Sequence, residues 1–160
     1  MGTTDHGPRR LELTTLMTPD MQNFSGKVHG GSLLKLLDEV AYSCASRYAR
    51  SYVVTLLVDD AIFRGPVHVG ELVTCLACVN HVGTTSMEIG MRVVSEDPRS
   101  GVQRHVMSCF FVMISMNEAG EPQAVSRFEF EDGEDERRWA AAEERRTIRT
   151  QAIERSKRGD

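Results

Sequence analysis

The chain has 160 residues, 41% of them hydrophobic, and a formal net charge of −4. That length and content suit one globular domain with a sizeable core and require no second domain. The negative balance argues against a nucleic-acid binder, which needs basic surface to neutralise phosphates, and no apolar run approaches the roughly 20 residues of a membrane-spanning helix.

Residues 1–10 are polar, carry Gly and Pro, and read as a disordered start. With Asp5, Arg9, Arg10 and Glu12, this start lacks the apolar centre of a signal peptide, so a cytoplasmic protein without membrane attachment is expected. Leu11 to Met17 reads as a short edge strand, ended by Thr18-Pro19-Asp20. A loop from Asn23 to Val28 leads into a helix from Gly31 to about Ala49. Four strand-like segments follow with no helix between them: Tyr52 to Phe63, Glu71 to His81, Ser86 to Val94 and Val102 to Met116. Turns at Arg64-Gly65-Pro66, His68-Val69-Gly70 and Asp97 to Gly101 join them, which predicts an antiparallel sheet. One long apolar helix against such a sheet is an α+β arrangement. Several strands are apolar on both faces, and dimerisation would cover the face that one helix leaves bare. The main domain therefore spans residues 11–125, and residues 126–160 form a charged helical extension. Glu134, Asp135 and Glu136 stand early in it and Arg155, Lys157 and Arg158 late, an order that suits a helix dipole. Its apolar face is weak, so packing on the surface or at an oligomer contact is expected.

The chemistry that is missing narrows the field. Cys75-x-x-Cys78 would point its two thiols to opposite faces of a strand and has no second pair, so no metal site is expected. The four cysteines read as buried free thiols. There is no G-x-S-x-G elbow, no P-loop lysine after Gly26 to Ser32, and no ligand-spaced histidine pair, so no cofactor is indicated.

What remains is concentrated between Asn23 and Asp38. Leu33, Leu34, Leu37, Ala41, Cys44, Ala45 and Tyr48 fall at the spacing of a buried helix face. Asp38 lies beside that stripe, about two turns in, too far from the helix start to cap it. Gly30-Gly31 stands where the first helical N–H groups lack intrahelical acceptors, a place suited to a developing oxyanion. Glu39 competes for the role of base, but it points about 100° away around the helix.

The run from Asn23 to Ala41 resembles the entry loop and central helix of hotdog-fold acyl-CoA thioesterases. The similarity continues through Phe63-Arg64-Gly65-Pro66-Val67-His68-Val69-Gly70-Glu71 and again at Gly83 to Met87. It implies a long helix wrapped by an antiparallel sheet, paired into dimers and often into a trimer of dimers. It also implies hydrolysis of acyl-CoA to a fatty acid and free CoA. In that pattern Asp38 is the catalytic carboxylate, acting either as general base on a water or by direct attack to give a mixed anhydride; Asn23 comes from the opposite subunit, and Gly30 or Gly31 offers its N–H to the thioester oxygen. Ser86 with Thr85 falls where the family meets the CoA arm, and Arg64, Arg92 and Arg104 are candidates for its phosphates. Some relatives carry Arg where this chain has Thr84. Two other readings of the same resemblance stay open. One is a sensor that binds acyl-CoA or a nucleotide without turnover. The other is an enoyl-CoA hydratase, for which Asp20, Asn23 and His29 occur in the right order but at the wrong spacing.

Overall fold

The computed structural model describes residues 5–159. Five antiparallel strands are hydrogen-bonded in the order β1-β3-β4-β5-β2, comprising β1 (Arg10–Leu16), β2 (Tyr52–Phe63), β3 (Leu72–Val82), β4 (Ser86–Glu96) and β5 (Gln103–Met116). Turn-linked neighbours β3, β4 and β5 form the middle, and β1 and β2 are the two edges. Each strand lies within two residues of its expected position.

The central helix α1 (Gly30–Ala49) buries Leu33, Leu37, Val40, Ala41, Cys44, Ala45 and Tyr48 against the concave face of the sheet. Alternation along the strands sends Met87 and Ile89 of β4 and Phe111 and Met113 of β5 into that layer, all of them buried. This gives the expected arrangement of one helix wrapped by an antiparallel sheet. The helix starts one residue early because the His29 ring caps it, its Nδ1 accepting the Gly31 N–H at 2.9 Å. It stops at Arg50, which takes the left-handed conformation with φ 53°.

The segment from Asp5 to Arg9, expected to be disordered with the rest of residues 1–10, is instead tied to the end of α1. His6 stacks on Tyr48, the Gly7 N–H donates to the Tyr48 carbonyl, and Arg9 is buried. Residues 1–4 lie outside the described residues.

After β5 the chain crosses the end of α1, where the Tyr48 hydroxyl donates to the Ser126 carbonyl at 2.6 Å and Phe128 is buried edge-to-face against the Tyr48 ring. It then forms α2 (Gly133–Gly159), which lies on the convex face of the sheet. A bulge in β3 at Asn80 turns both Asn80 and His81 toward that face. Gly90 opposite has no room for a Cβ beneath the Asn80 amide. Few apolar contacts hold α2: Ala142 is buried, and Trp139 packs on His81 and Phe128. Ion pairs join them. The buried Glu88 carboxylate takes Arg145 at 2.6 Å and Arg149 at 3.1 Å, Arg149 also reaches Asp59 at 2.9 Å, and Arg9 pairs with buried Asp135.

Candidate active site

Asp38 projects from α1 toward the edge strand β2. The Thr55 hydroxyl donates to its Oδ1 at 2.6 Å, while Oδ2 has no protein partner among the described residues. Thr55 reaches it because its register partner on β5 is Met113, which places both in the layer facing α1. Leu56, the next residue, is bulged out of register and exposed. A surface cavity of about 490 Å³ surrounds the carboxylate, lined by Asp38, Glu39, Tyr42 and Ser43 of α1 and by Tyr52 to Thr55 of β2. The site is thus a helix carboxylate held at one oxygen and open at the other.

Asn23 occupies a tight turn that Gly26 closes with a φ of +78°. Its Oδ1 accepts the Ser25 N–H at 2.9 Å, the Ser25 hydroxyl at 2.9 Å and the Lys27 N–H at 3.1 Å. Two of those donors are backbone N–H groups, so the amide oxygen is turned into the loop and the NH₂ outward. Asn23 therefore presents donors rather than an acceptor. With Phe24, Ser25, His29 and Gly30 it lines a second cavity of about 330 Å³.

The paired glycines separate in function. The Gly31 N–H is spent on the His29 ring, whereas the Gly30 N–H has no acceptor among the described residues. The structure thus narrows the candidate oxyanion donor from the pair to Gly30. His29 serves the helix start, which takes from the hydratase reading its free imidazole Nδ1.

The two cavities share no residue. Gly30 and Asp38 stand eight residues apart on one helix, which is about 12 Å along its axis. One thioester group cannot touch both within a single chain.

The predicted CoA contacts are not gathered around Asp38 either. Ser86 pairs with Ile114, and Ile114 with Val54, a row that alternation places on the face away from α1. Ser86 and Thr85 are half-buried in the β3–β4 turn, with the Arg146 guanidinium of α2 near Gly83. Arg104 is committed inside the fold, donating to Glu71 at 2.8 and 3.1 Å and to the Pro66 carbonyl at 3.1 Å. Burial opposes ionisation of Glu71, yet the His68 N–H, the Ser95 hydroxyl and Arg104 together hold its pKa below the usual value. Arg104 therefore fastens the turn before β3, whereas the exposed Arg64 and Arg92 make no ion pair among the described residues.

Sequence reasoning missed Thr55. Its one signal was a hydroxyl inside the apolar run Val53 to Val58. Three of the four thiols are poor nucleophiles: burial pushes Cys44, Cys75 and Cys109 up to about 12. Among the described residues no group of three or more His, Cys, Asp or Glu side chains could hold a metal ion. Among the described residues no helix is long and apolar enough to cross a membrane.

Comparison with known proteins bears on this arrangement. Residues 25–102 match the family model described as the thioesterase superfamily. The chain is 41% identical over 141 residues to protein VdlD of Helicobacter pylori, spanning 88% of this chain and 80% of that protein. It is 32% identical over 130 residues to the acyl-CoA thioester hydrolase YciA of Escherichia coli, spanning 78% of this chain and 98% of that protein. The crystal structure of an apo-hexameric acyl-CoA thioesterase superposes with a TM-score of 0.86 at 31% identity, covering 90% of this chain and 92% of that one. Fold, central helix and sequence agree, and the chain belongs to the thioesterase superfamily as a hotdog-fold acyl-CoA thioesterase.

Proposed function

We propose that this protein hydrolyses acyl-CoA to a free acid and CoA at sites shared by two copies of the chain, with Asp38 as the base. The observation that carries this reading is the division of the site into two disjoint halves. Asp38 with Thr55 lines one cavity, and Asn23 with Gly30 lines the other. A two-fold axis near Leu34 that runs two α1 helices antiparallel brings each half against the other half of the second copy. The edge strand β2 invites the same pairing, since Tyr52, Leu56, Val58, Ile62 and Phe63 leave apolar surface exposed beside unpaired backbone groups. The similar apo-hexameric enzyme supports further assembly into a trimer of dimers.

In the joined site Thr55 holds Oδ1 of Asp38, leaving Oδ2 to take a proton from water. The hydroxyl oxygen then bonds to the thioester carbon, and the Gly30 N–H and the Asn23 NH₂ of the second copy donate to the carbonyl oxygen as it becomes negative. The tetrahedral adduct collapses, the carbon–sulfur bond breaks, and the CoA thiolate leaves with a proton returned from Asp38. A thiolate is a good leaving group and needs no strong acid. Water, a carboxylate and hydrogen-bond donors complete this reaction, so the proposal calls for no cofactor. Arg64 and Arg92 are the free cations offered to the CoA phosphates, and Ser86 with Thr85 to its arm. Buried unpaired thiols fit action in the reducing cytoplasm.

The test is release of free thiol from acyl-CoA by the purified protein and by Asp38→Asn. Loss of a general base predicts a fall in kcat of about 10²- to 10⁴-fold with unchanged circular dichroism, because the exposed Asp38 supports no core contact. Undiminished release by a folded Asp38→Asn protein contradicts the assignment.

A further inference from the structure

Resting on that reading, we infer that Tyr42 and Tyr52, joined by Phe24 of a second copy, form an aromatic wall that closes the acyl end of the site and restricts it to short acyl groups. Tyr42 lies one helical turn beyond Asp38 on the same face of α1, and Tyr52 begins β2 opposite it. Their rings meet edge-to-face, with centroids 6.2 Å apart and planes at 60°. Both line the Asp38 cavity. They are nevertheless 40% and 61% exposed, a large aromatic area that nothing among the described residues covers.

Phe24 is the complementary oddity. It is fully exposed at the tip of a turn that three hydrogen bonds to Asn23 hold rigid. Asn23 and Phe24 are adjacent, so a pairing that delivers Asn23 to Asp38 of another copy delivers Phe24 to the same cavity. Antiparallel α1 helices specify where it goes. If Asp38 meets position 30 of the second copy, where that helix begins, then Tyr42, one turn further on, faces the segment that precedes the helix and carries the Phe24 turn. The three rings then stand about one turn of helix, or about 6 Å, from the reacting carbon. On the other side of Asp38 the helix face passes Leu34 toward the seam, so the acyl chain that leaves the carbonyl toward the cavity runs into the rings.

The experiment compares kcat/KM for butanoyl-CoA and dodecanoyl-CoA, by thiol release, in the unaltered protein, Tyr42→Ala, Tyr52→Ala and Phe24→Ala. The unaltered protein is expected to prefer butanoyl-CoA. Each truncation is expected to raise the dodecanoyl-to-butanoyl ratio by about tenfold or more, the scale on which a pocket discriminates by one or two methylenes. Tyr52 and Phe24 support no core packing, so their variants keep the test valid if Tyr42→Ala folds poorly. A ratio that stays fixed while both rates fall alike overturns the wall and leaves the rings as simple contact residues. A preference of the unaltered protein for dodecanoyl-CoA overturns it as well. Absence of thiol release from the unaltered protein with either ester overturns the thioesterase reading itself, and the wall with it.

Discussion

At the scale of single residues, the chemistry depends on which hydrogen-bonding atoms the fold leaves free. Asp38 keeps one oxygen and Asn23 its NH₂, while Gly31 is consumed by His29 and Arg104 by Glu71. The Gly30 N–H can be removed almost without other change. Proline is tolerated at the first position of a helix, and the preceding His29 already has φ −66° and ψ 133°, which proline demands of its predecessor. Gly30→Pro is therefore expected to keep α1 and the His29 cap while lowering kcat by about 10²- to 10³-fold through loss of an oxyanion donor. Wild-type kcat in a Gly30→Pro protein of unchanged helicity would remove Gly30 from the site. The places of Asp38 and the glycines in the fold were legible in sequence, because the carboxylate stands beside an apolar helix stripe and the glycines at the helix start. Thr55 was not, because its role arises only when β2 folds beside α1, seventeen positions along the chain. The commitment of Gly31 was hidden for a different reason: a histidine cap depends on ring orientation, which spacing does not encode.

At the scale of elements, the sheet and α1 follow from hydrophobic periodicity, and their expected boundaries lie close to those observed. The docking of α2 does not. Its contacts include Glu88 with Arg145 and Arg149, Arg9 with Asp135, and the tilted His81–Trp139 ring pair, none of which a search for apolar faces registers. Paired charges cost desolvation and restore it only through good geometry, so such an interface responds to pH. Burial chiefly, helped by Arg146 and Arg127, lowers the pKa of His81 against the opposing pull of Glu143 and Glu88. The folded protein then binds fewer protons than the unfolded chain near the ordinary histidine pKa of about 6.5. Its contribution is present above that pH and is lost as pH falls toward the depressed folded value, by up to about 1.4 kcal/mol per pH unit. Thermal midpoints measured between about pH 7.5 and 5 should fall toward the acid side, with a smaller slope in His81→Gln. Equal slopes in the two proteins would show that His81 is not the titrating group. The sole tryptophan, Trp139, reports the same event by fluorescence because the His81 ring lies tilted against it, with centroids 4.2 Å apart.

For the whole molecule, the proposal turns on the two candidate half-sites of one chain lining separate cavities. With Gly30 and Asp38 about 12 Å apart on one helix, the proposed site is complete only when two copies pair. Sequence similarity carried this idea as far as the family pattern, through Asn23 and Asp38. The disjoint cavities and the apolar edge strand add the physical reason. Exchange of subunits between two inactive variants tests it most directly. Asp38→Asn and Asn23→Ala are each purified, shown to be folded and nearly inactive in thiol release, then mixed under conditions that exchange subunits. Random pairing makes half of the dimers mixed, and each mixed dimer has one site with both residues intact, so activity should recover to about one quarter of the unaltered level. No recovery after exchange has been demonstrated would contradict a site shared between two chains.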